Sequence, residues 1–139
     1  MAWSVALAVA ATFVWLGMVL AISFLEAPLK FRAPGVTTVI GLGIGRLVFR
    51  ALNVAELVLA VLVVVGVVLG DGPMLVVGVL LVLLVVQLVV VRPVLNRRSS
   101  RVLAGEDPPR SRAHLAYIGL EVTKVAALVV LGVQLLAGV

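Results

Sequence analysis

Two polar stripes interrupt an otherwise apolar sequence. Arg46, Arg50, Asn53 and Glu56 lead into one long apolar run, and His114, Tyr117, Glu121 and Lys124 open another. At 100° per residue the first three lie within an arc of about 60°, with Glu56 about 60° farther round, and the second four lie within about 80°. Each stripe is one face of a helix. Together they offer cations, carboxylates, an amide, an imidazole and a phenol, which can attract an anion, exchange a proton or fasten helices. A charge at the centre of a bilayer costs about 2.5–3.5 kcal/mol on insertion scales, so such side chains face one another, a watery cavity or a ligand. Glu26, with Pro28 after it at the end of the first apolar run, falls at a similar level and joins the candidate set.

Other chemistries are poorly supplied. His114 is the only histidine and there is no cysteine, so no metal site, bis-histidine haem or thiol nucleophile is expected. Ser4, Thr12 and Ser23 have no neighbouring base. Gly41-Leu42-Gly43-Ile44-Gly45 has the outline of a nucleotide loop, but a dinucleotide fingerprint needs a preceding strand and a βαβ unit. Gly41 with Gly45, and Gly66 with Gly70, read instead as small faces for close helix packing. Gln87 and Gln134 read as single packing hydrogen bonds. His114, near Arg110 and Arg112, reads as an interfacial polar group before a proton relay.

The elements that must position these residues follow from composition. The chain has 139 residues, 64% of them hydrophobic, and a mean hydropathy of +1.35. A water-soluble domain this small hides only about two-thirds of its surface and has nowhere to put so much apolar area. The expected fold is all-α: one integral membrane four-helix bundle of two hairpins over residues 1–139. Spans are expected at residues 3–25, 47–69, 74–91 and 116–136, each near the roughly 20 residues that cross a bilayer. Residues 2–25 lack a basic n-region and are too long for a leader core, so they read as a retained span. Gly70-Asp71-Gly72-Pro73 is a turn, and Arg92-Pro93 is expected to stop the third span. Residues 36–49 read either as an interfacial helix or as an extension of the second span. Residues 96–112, with Gly105-Glu106-Asp107-Pro108-Pro109, read as a polar loop.

Charge sets the expected orientation. Lys30, Arg32, Arg46 and Arg50 flank the first connection; Arg92, Arg97, Arg98, Arg101, Arg110 and Arg112 flank the third. The turn between them carries only Asp71. The positive-inside rule puts segments 26–46 and 92–115 in the cytoplasm and both termini outside, in a bacterial-type cytoplasmic membrane. A net charge of +5 confined to such loops points to anionic lipid headgroups rather than nucleic acid. Four helices leave little room for an enclosed pathway, so self-association or a partner membrane protein is expected.

Two family resemblances accompany this reading. Trp15-Leu16-Gly17, Glu26-Ala27-Pro28-Leu29-Lys30-Phe31, Gly45-Arg46-Leu47-Val48-Phe49 and the placement of His114 resemble the small four-helix membrane proteins related to the cisplatin-resistance-associated transmembrane protein. That resemblance implies the fold rather than an activity. Arg50-Ala51-Leu52-Asn53-Val54-Ala55-Glu56 resembles the Arg-Ala-x-x-Asn-x-x-Glu element of the membrane-associated glutathione and eicosanoid enzymes, with the Arg-to-Asn spacing one residue short. It implies glutathione held by Arg50, Asn53 and Glu56, with Tyr117 stabilising a thiolate.

Three functions are thus in view. The first is binding or transport of a small amphipathic or anionic molecule in a polar cavity of the cytoplasmic leaflet, with no cofactor. There Arg46, Arg50 and Lys124 attract the anion, Glu56, Glu121 and His114 pair with or titrate against the cations, and Glu26, Asn53 and Tyr117 complete the lining. The second is a glutathione-dependent transferase-like membrane enzyme, and the residues lean away from it. The third is a structural or accessory subunit whose charges only pair.

Overall fold

The computed structural model describes residues 2–108 and 112–139, so the part of the expected polar loop at residues 109–111 lies outside the described residues. Four helical rods make up the described residues: α1 (Trp3–Arg32), α2 (Thr38–Leu69), α3 (Met74–Leu103) and α4 (Arg112–Ala137). All four are long and apolar enough to cross a membrane. α1 packs chiefly on α2 and α4, α3 packs on α4 and less extensively on α2, and the ring of four closes.

Local chemistry sets the ends. Gly35, at φ 82°, turns the chain after α1, and the Thr37 hydroxyl caps α2 by accepting from the Ile40 N–H at 3.2 Å. α2 closes with Asp71 in the left-handed region (φ 51°), the Gly72 N–H reaching back to the Val67 carbonyl at 2.8 Å. α3 closes the same way on Gly105 (φ 88°), with the Glu106 N–H on the Arg101 carbonyl at 3.0 Å.

The rods are longer than the sequence suggests. Residues 38–49 are an N-terminal extension of α2, which settles the alternative left open for that stretch. α3 does not stop at Arg92-Pro93 but continues to Leu103, leaving a loop that begins at Ala104 rather than at Asn96. The reason is a wide π-helical turn over Gln87–Val91, just before the proline. A proline breaks a helix by clashing with the carbonyl four residues back, and widening that turn moves the carbonyl aside. α1 uses the same device: a π-helical stretch at Leu20–Glu26 precedes Pro28, and the rod then tightens to a 3₁₀ turn at Lys30–Arg32.

Each helix buries one stripe at alternating three- and four-residue spacing. Ala8, Ala11, Trp15 and Val19 face Ala60, Val63 and Val67, and Val77, Leu80 and Leu84 meet Leu128, Leu131 and Leu135. This is the seam geometry of left-handed bundles. Gly66 permits a close backbone approach of α1 to α2. A Cβ there would lie 2.7 Å from the Ser4 carbonyl oxygen and 2.8 Å from the Ala8 nitrogen. The outside is as apolar as the inside: Leu75 is 82% exposed, and Leu47, Val82 and Val89 stand out alongside it. A continuous apolar exterior of this kind suits lipid rather than water.

Candidate functional site

The polar stripe continues the apolar seam of each helix. On α4, Tyr117, Glu121 and Lys124 precede Leu128, Leu131 and Leu135 at the same spacing, and on α3 Gln87 follows Leu80 and Leu84. Glu56 does the same on α2 ahead of Ala60 and Val63. These side chains therefore point into the bundle. Lys124 has no exposed surface, and Glu56, Gln87, Glu121 and Trp15 are all buried with it.

There they form one network drawn from all four helices. The Lys124 Nζ donates to Glu56 Oε2 at 2.6 Å and to Gln87 Oε1 at 2.7 Å, and lies 2.5 Å from Glu121 Oε1. An ammonium has three N–H donors, and these three acceptors use all of them. Trp15 Nε1 donates to Glu56 Oε2 at 2.8 Å, and Gln87 Nε2 donates to Glu121 Oε1 at 2.7 Å. Glu121 Oε2 is buried without a hydrogen-bond partner among the described residues. Trp15, Glu56, Gln87 and Lys124 each lie 12 or 13 residues from the far end of their helix, so the layer is level, about 18–20 Å from that end.

A second polar set lies nearer the basic end. The Arg92 guanidinium covers the rings of Phe49 and Tyr117 at 4.8 and 4.7 Å, and those rings meet edge-on with centroids 5.9 Å apart. The Lys30 ammonium lies 5.7 Å from the Phe49 ring and pairs with Glu26 at 3.7 Å. Its Nζ also fills the space beside Gly45, 2.9 Å from where a Cβ would stand, while the Phe31 ring fills that beside Gly41. These two glycines thus admit the end of α1 against α2.

Beside this set a groove of about 510 Å³ opens between α2 and α3. Arg46, Phe49, Arg50 and Asn53 line it from one side and Arg92 and Asn96 from the other, with Leu47, Val54 and Leu57 completing the wall. Among the described residues no carboxylate lines it. Arg46 and Arg50 are exposed and form no ion pair among the described residues. Nε and Nη2 of Arg92 are buried with no acceptor there.

The nine candidates therefore separate. Glu56, Glu121 and Lys124 meet in the network; Arg46, Arg50 and Asn53 share the groove; Tyr117 backs Arg92; Glu26 pairs with Lys30. His114 is exposed on the first turn of α4 and joins neither set. Sequence reasoning did not place Trp15, Arg92, Asn96 or Phe49 at a site. For Gln87 the signal was present, because it falls on the Val77, Leu80, Leu84 stripe. No protein-family model, no curated protein and no solved structure matches this chain.

Proposed function

We propose that the chain is an integral membrane protein that binds a small anionic amphiphile at the cytoplasmic end of its bundle, in the groove between α2 and α3. The observation that carries this reading is the groove itself. Arg46, Arg50 and Arg92 line it with Asn53 and Asn96 and, among the described residues, no carboxylate, and Leu47, Val54 and Leu57 add apolar surface. Both termini lie outside and the arginine-rich ends of α2 and α3 lie at the inner leaflet, where anionic lipids concentrate.

Glu56, Glu121 and Lys124 have a different part in this reading. With every Lys124 donor engaged, the network offers a ligand no free ammonium hydrogen, and it serves to hold the four helices in register. This observation also supports the structural-subunit reading, in which the network is the whole purpose of the charges. A glutathione site would rest on Arg50 and Asn53 alone, because Glu56 turns away from them to Lys124 and Trp15.

The test is lipid retention. The full chain in nanodiscs of mixed phosphatidylglycerol and phosphatidylcholine is expected to keep the anionic lipid through delipidation. Arg46→Gln and Arg50→Gln should each cut that retention about fivefold, the worth of roughly 1 kcal/mol per basic residue at such a surface. Equal retention of both lipids by the unaltered chain would sink the reading.

A further inference from the structure

Resting on that reading, we infer that the groove selects a lipid phosphate monoester, a headgroup ending in a terminal phosphate, over a phosphodiester. Three observations point this way. The first is charge. Arg46, Arg50 and Arg92 bring three cations to one groove with no carboxylate to offset them. A diester brings one negative charge, whereas a monoester carries about −1.5 to −2 near neutral pH. The second is donor supply. Arg46 and Arg50 are exposed on the lining and form no ion pair among the described residues, and Asn53 and Asn96 add amide donors. Guanidinium forks bond phosphate oxygens in pairs, and the monoester has three terminal oxygens to offer where the diester has two. Stacking on Phe49 and Tyr117 fixes the Arg92 charge beside the groove before any ligand arrives, which lowers the ordering cost of binding.

The third is the grading of the wall. Along α2 the lining passes from Arg46 through Arg50 and Asn53 to Val54 and Leu57. Eleven residues of helix separate the first from the last, about 17 Å. The phosphate belongs at the arginine end and an acyl chain along Val54 and Leu57. A water-soluble phosphate ester would leave that apolar wall uncovered.

The ionisable groups lining the groove are all arginine, which stays charged throughout the accessible pH range. Behind them stand Tyr117 under Arg92, and Lys30 with Glu26 beyond Phe49. The second ionisation of a phosphate monoester falls near pH 6. Selectivity for the monoester should therefore fade as pH falls from about 7.5 to about 5, following the ligand rather than the protein.

The experiment uses the full chain in nanodiscs holding equal phosphatidic acid and phosphatidylglycerol of matched acyl chains in a phosphatidylcholine background, with retained lipid quantified by mass spectrometry. The expected result is retention of phosphatidic acid about fivefold above phosphatidylglycerol near pH 7.5, falling toward parity near pH 5. Arg50→Gln, at an exposed position, should bring the ratio toward one. Glu26→Gln should keep the pH response. A ratio near one, with both anionic lipids enriched over phosphatidylcholine, overturns the selectivity and leaves the anion site standing. No enrichment of either overturns both. Displacement of phosphatidic acid by glycerol 3-phosphate would assign the site to a soluble ester and overturn the lipid.

Discussion

Lys124 holds a position that few lysines occupy: without exposed surface, in the seam of a bundle, with each ammonium hydrogen on a separate acceptor. Such an arrangement adds little stability over a well-packed apolar core, because desolvating the charges offsets most of their attraction. Breaking it is another matter. Lys124→Met strands Glu56 and Glu121 together with no cation, and is expected to cost about 3–5 kcal/mol in reversible unfolding from mixed micelles. The triple change Lys124→Met, Glu56→Gln, Glu121→Gln should recover much of that loss; no recovery would show that the side chains matter through shape rather than charge. Trp15→Phe keeps the ring packing but removes the indole donor to Glu56, and should cost about 1–3 kcal/mol by the same measurement.

At the scale of the element, the α1–α2 contact depends on a missing side chain. The backbone oxygen of Ser4 and the nitrogen of Ala8 crowd the space over Gly66, and neither belongs to a flexible group. Gly66→Ala is therefore expected to destabilise by about 1–3 kcal/mol. Gly78→Ala on α3, where a Cβ meets nothing within 4 Å, should be neutral or stabilise by up to about 1 kcal/mol. If the two variants unfold alike, the close approach at Gly66 is not what holds these helices together. Reading helix boundaries was hardest where proline intervened. Arg92-Pro93 looks like a stop because proline removes a donor and clashes with the turn before it, and nothing in Val-Leu-rich sequence announces a π turn that absorbs the clash. That single feature hid the α3 side of the groove, since Arg92 and Asn96 sit on a helix that sequence reasoning had already ended.

For the molecule as a whole, hydropathy and charge made the architecture legible: four apolar helices, with Arg46, Arg50 and Asn53 on one face and Glu121 and Lys124 on another. Which face meets which was not legible, because the order of helices around the ring decides it. Trp15 sits in a uniformly apolar helix and gives no sign that its indole will reach Glu56, 41 residues away. Orientation is open to a direct check, since the chain has no cysteine to confuse labelling. In intact cells, Val139→Cys should react with an impermeant maleimide, and Asp107→Cys should react only after permeabilisation; the reverse pattern would turn the molecule over. The division of the network between the hairpins also bears on biogenesis. A chain emerges N-terminus first, so in the proposed membrane setting α1 and α2 precede Lys124, and Glu56 has only Trp15 to answer it until α4 is made. Until α4 arrives, the first three helices carry an uncompensated carboxylate and a lone amide among apolar neighbours.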